Sequence, residues 1–372
     1  RRRINRGPLL TKAFGVTRLA RVAAPARSFA MRLLPKKLAI SAAALAVVGA
    51  AAELVARAAE PGPFSFVDRN PYVDSEVDGH YRHRAGFVGR WDATWCDIDE
   101  RGFRGPDREV TGAEGEFRVA CVGDSCTFGK GVLEADTWPR QLEGLLRERA
   151  PASLVFNLGI NGAHGRVYLA HLAQHIADLR PDVVALGYNI NDFPNSLRSA
   201  DEKVFKQRGP RRFLPRWLRD GMGRLALYRF ARATYYDMNQ AKDVAASEAT
   251  ARAAAAVPVD DAVWDRERGY LSGIRDLAGE YGAKVVVFLF PYESQVLIDD
   301  YDRGPIERLA AECSGLGLPF FDLAEEFRAA ARVEGAPPSL FVRGDRYHPN
   351  AAGYSIVARR VLAELEAIGL AP

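Results

Sequence analysis

Residues 121 to 129 read Cys-Val-Gly-Asp-Ser-Cys-Thr-Phe-Gly and set a serine, Ser125, just past an apolar run. More than two hundred residues later, Asp345-Arg-Tyr-His348 offers an Asp three positions before a His. A carboxylate at that spacing can accept the Nδ1 proton of the imidazole, which leaves Nε2 free to take a proton from a serine hydroxyl. Hydrolytic or transfer chemistry at Ser125, with His348 as base and Asp345 as its orienting partner, is the leading reading. The plain alternative is a loop that caps the last helix, with His348 merely hydrogen-bonded.

Two intermediate segments could complete such a site. Asn157-Leu-Gly-Ile-Asn-Gly162 can present a glycine backbone N–H with no side chain in the way. Gly187-Tyr-Asn-Ile-Asn-Asp192 supplies amide side chains. The Ser125 N–H, the Gly162 N–H and an Asn amide could converge on the oxygen of a tetrahedral intermediate, where charge develops during acyl transfer.

These residues need a scaffold that brings distant segments to one place. Phe117–Val122, Ser153–Asn157, Val183–Leu186 and Lys284–Phe290 are short apolar, β-branched runs bounded by polar or Gly-containing turns, and they read as buried strands. Leu318–Leu323 is a fifth, placed at a sheet edge where its proline is tolerable. Helical spacing follows in Trp138–Arg149, Tyr168–Leu179 and Ile306–Cys313. Strands alternating with helices predict an α/β fold with a mostly parallel five-stranded sheet covered on both faces. Ligands gather at the C-terminal strand ends of such sheets, where Ser125 should sit.

The chain has 372 residues, enough for one large domain with extensions. Residues 1–37 form a basic leader with eleven Arg or Lys and no Asp or Glu, leaving 40 basic against 47 acidic residues elsewhere. The net +4 therefore describes the leader, and a nucleic-acid surface on the body is not expected. Residues 38–59 begin with fifteen uncharged residues, Leu38–Ala52, behind Lys36 and Lys37, the pattern of a signal sequence or membrane anchor. Fifteen residues are short of the roughly 20 that span a bilayer, but a helix continuing through Glu53 toward Ala59 would reach that length. Met31 could open a compact n-region, and cleavage near Ala58 is compatible with Ala56-Arg-Ala58. Either form leaves the body extracytoplasmic, secreted or membrane-anchored, and periplasmic where an outer membrane exists.

Residues 60–115 look like an irregular collar ending in Arg101-Gly-Phe-Arg-Gly-Pro106, and 116–368 hold the catalytic domain. Within it, residues 195–260 break the alternation and predict a largely helical cap insertion. Of the cysteines, Cys121 reads as a packing residue, and a Cys96–Cys313 bridge is possible but not deducible from sequence. His171 and His175 share a helical face, yet no compact metal motif is present, and neither metal nor cofactor is expected.

Taken together, Gly123-Asp-Ser125, the Asn157–Gly162 segment, Asn191-Asp192 and Asp345 with His348 resemble the SGNH, or GDSL, hydrolase family over about residues 116–365, and the order of elements is similar to an exported or membrane-anchored bacterial subgroup. The resemblance implies a flavodoxin-like three-layer α/β/α core, a Ser125 nucleophile, a His348 base oriented by Asp345, and oxyanion donors from Gly162 and Asn191. Asn189 competes with Asn191 because the block reads Gly-Tyr-Asn-Ile-Asn-Asp, and Gly159 competes with Gly162. Cys126 replaces a common Leu and reads as a small packing residue rather than a nucleophile. The expected activity is serine-dependent ester hydrolysis of a small O-acyl group on a glycan or exported metabolite. The alternatives are O-acyl transfer to a carbohydrate and a non-enzymatic carbohydrate-binding or assembly role.

Overall fold

Apolar side chains on both faces of each central strand require cover above and below, and the chain supplies it with helices between successive strands. The computed structural model describes residues 26–59, 72–74, 80–91, 94–113, 115–190, 192, 225–228, 261–297, 301–333, 339–342, 345 and 347–372. Asn191 and, apart from 225–228, the expected cap over 195–260 lie outside them. The chain divides into two units, residues 1–59 and 60–372.

The described residues of the first unit form the helix α1 (Ala26–Ala59). Its Lys36–Ala58 stretch of 23 residues has a mean hydropathy of 2.1 and is long and apolar enough to cross a membrane. Leu38, Ile40, Leu45, Val47 and Val48 are exposed along it. Glu53, the acidic residue within this run, pairs one turn on with Arg57 at 2.8 Å.

In the second unit, β1 (Tyr72–Asp74) pairs antiparallel with β2 (Tyr81–His83), and β3 (Val88–Trp91) with β4 (Thr94–Asp97). The collar is therefore less irregular than its sequence indicates, because strands of three or four residues are too short to display a period. The sheet follows, in chain order: β5 (Arg118–Gly123), α2 (Ser125–Phe128), α3 (Trp138–Arg147), β6 (Leu154–Gly159), α4 (Gly165–Leu179) and β7 (Val183–Asn189). Then come α5 (Asp261–Glu280), β8 (Lys284–Phe290), α6 (Glu293–Leu297), α7 (Gly304–Gly315), β9 (Phe320–Asp322), α8 (Ala324–Ala331) and α9 (Ala351–Ala367).

The five strands lie in the order β6-β5-β7-β8-β9 and every pairing is parallel. Numbered within the sheet this is 2-1-3-4-5, the flavodoxin-like arrangement. Successive residues of β5 face opposite layers: Ala120 and Val122 pack with α4 and α5, Val119 and Cys121 with α3 and α9. Here β6 and β7 run further than their apolar runs suggest, ending at Gly159 and Asn189. Both extensions lie at the C-terminal edge of the sheet, beside the end of β5. The short β9 occupies the edge, where the preceding Pro319 is tolerable.

All four cysteines are buried and free. Cys96 sits in a collar cluster with Phe87, Ile98 and Phe128, and Cys313 in the layer that holds α4 and α5, so no bridge joins them.

Candidate active site

The end of β5 is crowded before any chemistry is considered. Gly123 pairs with Gly159 on one side and Gly187 on the other, and a Cβ at Gly123 would collide with Thr127 Oγ1 and the Gly187 carbonyl. Glycine is needed there for close approach. Asp124 then caps α2: its Oδ1 accepts the Cys126 N–H at 2.8 Å, while its carbonyl accepts the Phe128 N–H at 2.9 Å. The single turn closes when the Ser125 carbonyl accepts the N–H groups of Gly129 and Lys130, each at 3.0 Å. Gly129 adopts φ +83°, the left-handed conformation that ends such a turn with little strain only in glycine.

The partner loop is built by its own main chain. The Val342 N–H donates to the His348 carbonyl at 2.9 Å, and the Asp345 N–H to the Val342 carbonyl at 2.8 Å. Asp345 Oδ1 accepts the N–H groups of Tyr347 (2.9 Å) and His348 (3.1 Å). After the loop, the Asn350 side chain caps α9 by accepting from Ala352 and Gly353. With the backbone so fixed, Asp345 Oδ2 lies 2.6 Å from His348 Nδ1, and His348 Nε2 lies 2.8 Å from Ser125 Oγ.

That geometry sets the proton positions. A carboxylate on Nδ1 demands Nδ1–H, so Nε2 carries the lone pair toward the serine hydroxyl. Burial alone would raise the Asp345 carboxyl, but the hydrogen bond and charge of His348, the Tyr347 N–H and the nearby Lys130 outweigh it and bring it down to about 2. Asp345 is consequently an anion at any working pH. Asp124 offers Ser125 Oγ a second, longer contact at 3.3 Å, and burial raises its carboxyl. Its capping bond shapes the turn.

Of the other predicted positions, Gly159 ends β6 and Asn189 ends β7. At Gly159 the N–H is donated to Asn157 Oδ1 at 3.0 Å, and a Cβ would strike the Phe128 backbone, so this glycine serves packing between β6 and α2. Gly162 lies beyond the strand at φ +68°. Asn189 is buried at the end of β7, where its Nδ2 donates to Cys126 Sγ at 3.2 Å. Asn191 falls outside the described residues. Its neighbour Asp192 is fully buried and accepts the Asn189 N–H at 2.9 Å and the Tyr168 hydroxyl at 2.8 Å. Burial, reinforced by the charge of Asp124, pushes the Asp192 carboxyl well above the usual range.

Sequence reasoning missed three features. Cys126 does more than fill space: its Sγ lies 3.2 Å from Asn189 Nδ2 and 3.6 Å from the Tyr347 carbonyl, joining the Ser, Asn and His segments. Burial lifts its thiol well above the ordinary range. The Tyr168–Asp192 bond, from α4 to the end of β7, had no local signal. Neither did the buried Arg104, read only as part of a turn-forming motif. His171 and His175 do share a face, packing edge-on to each other and against Phe103.

Residues 121–356 match the GDSL-like Lipase/Acylhydrolase family. No curated protein matches the chain. Among solved structures, the chain is similar to TesA at 15% identity, over 68% of this chain and 99% of that one, with a TM-score of 0.40. A catalytic mutant of Axe2, an acetylxylan esterase from Geobacillus stearothermophilus, is 16% identical over 67% and 94%, with a TM-score of 0.41. The acetyl xylan esterase AlAXEase is 15% identical over 67% and 100%, with a TM-score of 0.38. Because the family match covers more than half of the chain and runs through both the Gly-Asp-Ser turn and the Asp345/His348 loop, this protein belongs to the GDSL-like lipase/acylhydrolase family.

Proposed function

We propose that Ser125 is the nucleophile of a serine ester hydrolase, that His348 is its general base and acid, and that Asp345 orients and charge-stabilises the imidazole. The observation that carries this reading is the continuous relay of 2.6 Å and 2.8 Å from Asp345 through His348 to Ser125 Oγ. His348 removes the hydroxyl proton as Oγ attacks the ester carbonyl, then returns that proton to the departing alcohol. Water, deprotonated by the same Nε2, attacks the acyl-serine and releases the carboxylic acid.

Gly162 is the proposed backbone donor to the oxyanion. The competing Gly159 N–H is already committed to Asn157. Asn191 is the proposed side-chain donor, supported by the family resemblance and by the engagement of the Asn189 amide with Cys126. Asn191→Ala should cost on the order of 3 kcal/mol in the barrier. Near-normal kcat in that variant, with the loss falling on Asn189→Ala, would exchange the two assignments.

The domain scheme we propose is a basic leader over 1–37, a signal or anchor over 38–59, the collar over 60–115, and a catalytic domain over 116–368 whose cap insertion spans 195–260. An extracytoplasmic location follows from a basic flank ahead of an apolar helix. A small O-acyl group on a glycan or exported metabolite is the substrate class such a location favours. Two measurements test the reading. Ser125→Ala should abolish both p-nitrophenyl acetate turnover and covalent labelling by a fluorophosphonate, and retention of either would overturn it. With an acetylated oligosaccharide donor and a saturating glycan acceptor, free acetate is the expected product, whereas acylated acceptor would make the enzyme a transferase.

A further inference from the structure

We infer that the collar is part of the catalytic apparatus, and that Arg104 is a positioning residue which holds the Ser125 turn from its C-terminal end. The inference rests on the assignment of Ser125 as nucleophile. Arg104 is 2% exposed, and its Nη1 donates to the carbonyls of Phe128 (3.0 Å) and Gly129 (2.5 Å), its Nη2 to that of Val132 (2.6 Å). The guanidinium also lies over the Phe128 ring, 4.6 Å from its centroid. Its main chain is fastened elsewhere: the Arg104 N–H donates to the Asn157 carbonyl on β6 at 3.2 Å. Arg104 thus links the strand beside β5 to the turn that follows β5.

The chemistry explains why an arginine stands here. A one-turn helix leaves its last carbonyls without intrahelical partners. A guanidinium presents several donors in a fixed fork, and a cation at a helix C-terminus meets the negative end of the peptide dipoles. Among the described residues no carboxylate forms an ion pair with Arg104. A buried cation compensated by carbonyl dipoles is an expensive way to fix a loop that any apolar plug could fill. What the fork adds is a defined position for the carbonyls of Phe128, Gly129 and Val132.

That position bears directly on the serine. Gly129 gives its N–H to the Ser125 carbonyl and its own carbonyl to Arg104, so movement of Gly129 is transmitted to Ser125. Phe128 is gripped in the same way, its ring clustered with Phe87, Cys96 and Ile98 of the collar. The collar hydroxyl of Tyr81 also lies 3.7 Å from where a Gly162 Cβ would be. The collar therefore borders both the nucleophile turn and the glycine proposed for the oxyanion.

The test compares Arg104→Met and Arg104→Lys with the parent full-length chain. It measures kcat and KM for p-nitrophenyl acetate, the rate of Ser125 phosphonylation by a small fluorophosphonate, and thermal unfolding. Activity is read at a temperature where circular dichroism shows each variant folded. A displacement near 1 Å at the nucleophile should lower kcat and phosphonylation together by about 100-fold in Arg104→Met, with KM changed less than twofold. Arg104→Lys, which keeps the charge but not the fork, should recover about tenfold of that loss. If Arg104→Met fails to fold, Arg104→Gln replaces it and is read by the same criteria. Parental kcat and phosphonylation in a folded variant with a lowered melting temperature would overturn the inference and leave Arg104 a stability residue. Should Ser125→Ala also retain turnover, the nucleophile assignment itself would fall. An inactive Ser125→Ala beside a fully active Arg104 variant would sink this inference alone.

Discussion

Two carboxylates, one buried and one half-buried, show how differently the same fold can use a charge. Glu143, on α3, is wholly enclosed and answered on every side: Arg108 Nε and Nη2 reach it at 3.0 Å each, Arg147 at 3.2 Å, the Val155 N–H at 3.3 Å, and Arg140 closes on it as well. Burial would raise its carboxyl, but these cations, Arg108 foremost, hold it below the usual range. Asp345 hydrogen-bonds the side chain of His348, whose far nitrogen is turned to Ser125. The first cluster is saturated and can only hold structure. The second ends in a proton that can be moved. A depressed carboxyl is common to both, so it does not mark a reactive site; the distinguishing feature is a hydrogen-bonded partner with a nitrogen left over.

The sharpest way to break that contrast is to remove the link through which Asp345 acts. His348→Ala should lower kcat by roughly 10⁶-fold, the loss typical when a triad residue that works as a unit is deleted, while the melting temperature moves little. A fluorophosphonate should likewise fail to label the variant at a measurable rate. A residual kcat within tenfold of the parent would mean that the 2.8 Å contact is structural after all. Glu143→Gln should behave in the opposite sense. It leaves Arg108 and Arg147 facing a neutral amide, and breaking a buried pair in this way costs about 3–5 kcal/mol of stability, read by urea denaturation. Its kcat, measured where the protein is folded, should match the parent. A large kcat loss there would join the two clusters into one functional network.

The same contrast explains what could be read from the sequence. Asp345 and His348 are three residues apart, so their pairing is a local pattern, and the Gly-Asp-Ser turn is likewise a contiguous string. The parallel sheet was legible because each strand is an apolar run between turns, and Lys284–Phe290 emerged with the bounds its β-branched residues indicate. Glu143 and Arg108 are brought together by tertiary folding, and nothing in the helical spacing of Trp138–Arg149 distinguishes the buried Glu143 from the exposed Glu148. Arg104 was hidden for the same reason: its acceptors are backbone carbonyls of residues 128, 129 and 132, which carry no sequence signal. Gly159 and Gly162 look alike as letters, and separated only when one proved to be a packing contact of β6 with α2 and the other a left-handed loop residue. Cys126 shows the limit in another form, since a thiol that joins three segments and a thiol that fills a hole are the same residue until their neighbours are known.

The smallest effect lies in the pH dependence of stability, and it separates the two carboxylates by their partners. Asp345 stands near 3.8 when unfolded and at about 2 in the folded protein. Because the folded value is the lower one, the unfolded chain binds the proton more readily as acid is added. The Asp345–His348 pair therefore stabilises the fold fully above about pH 4, and its contribution fades as the pH falls toward 2. The shift corresponds to about 2 kcal/mol at most. Asp345→Asn should be less stable than the parent by up to that amount at pH 5. The gap should narrow steadily in denaturation series taken down to pH 2.5. Equal stability of the two proteins across this range would mean that Asp345 holds its loop through the Tyr347 and His348 N–H groups, which an Asn oxygen can also accept, and that its charge adds nothing to stability.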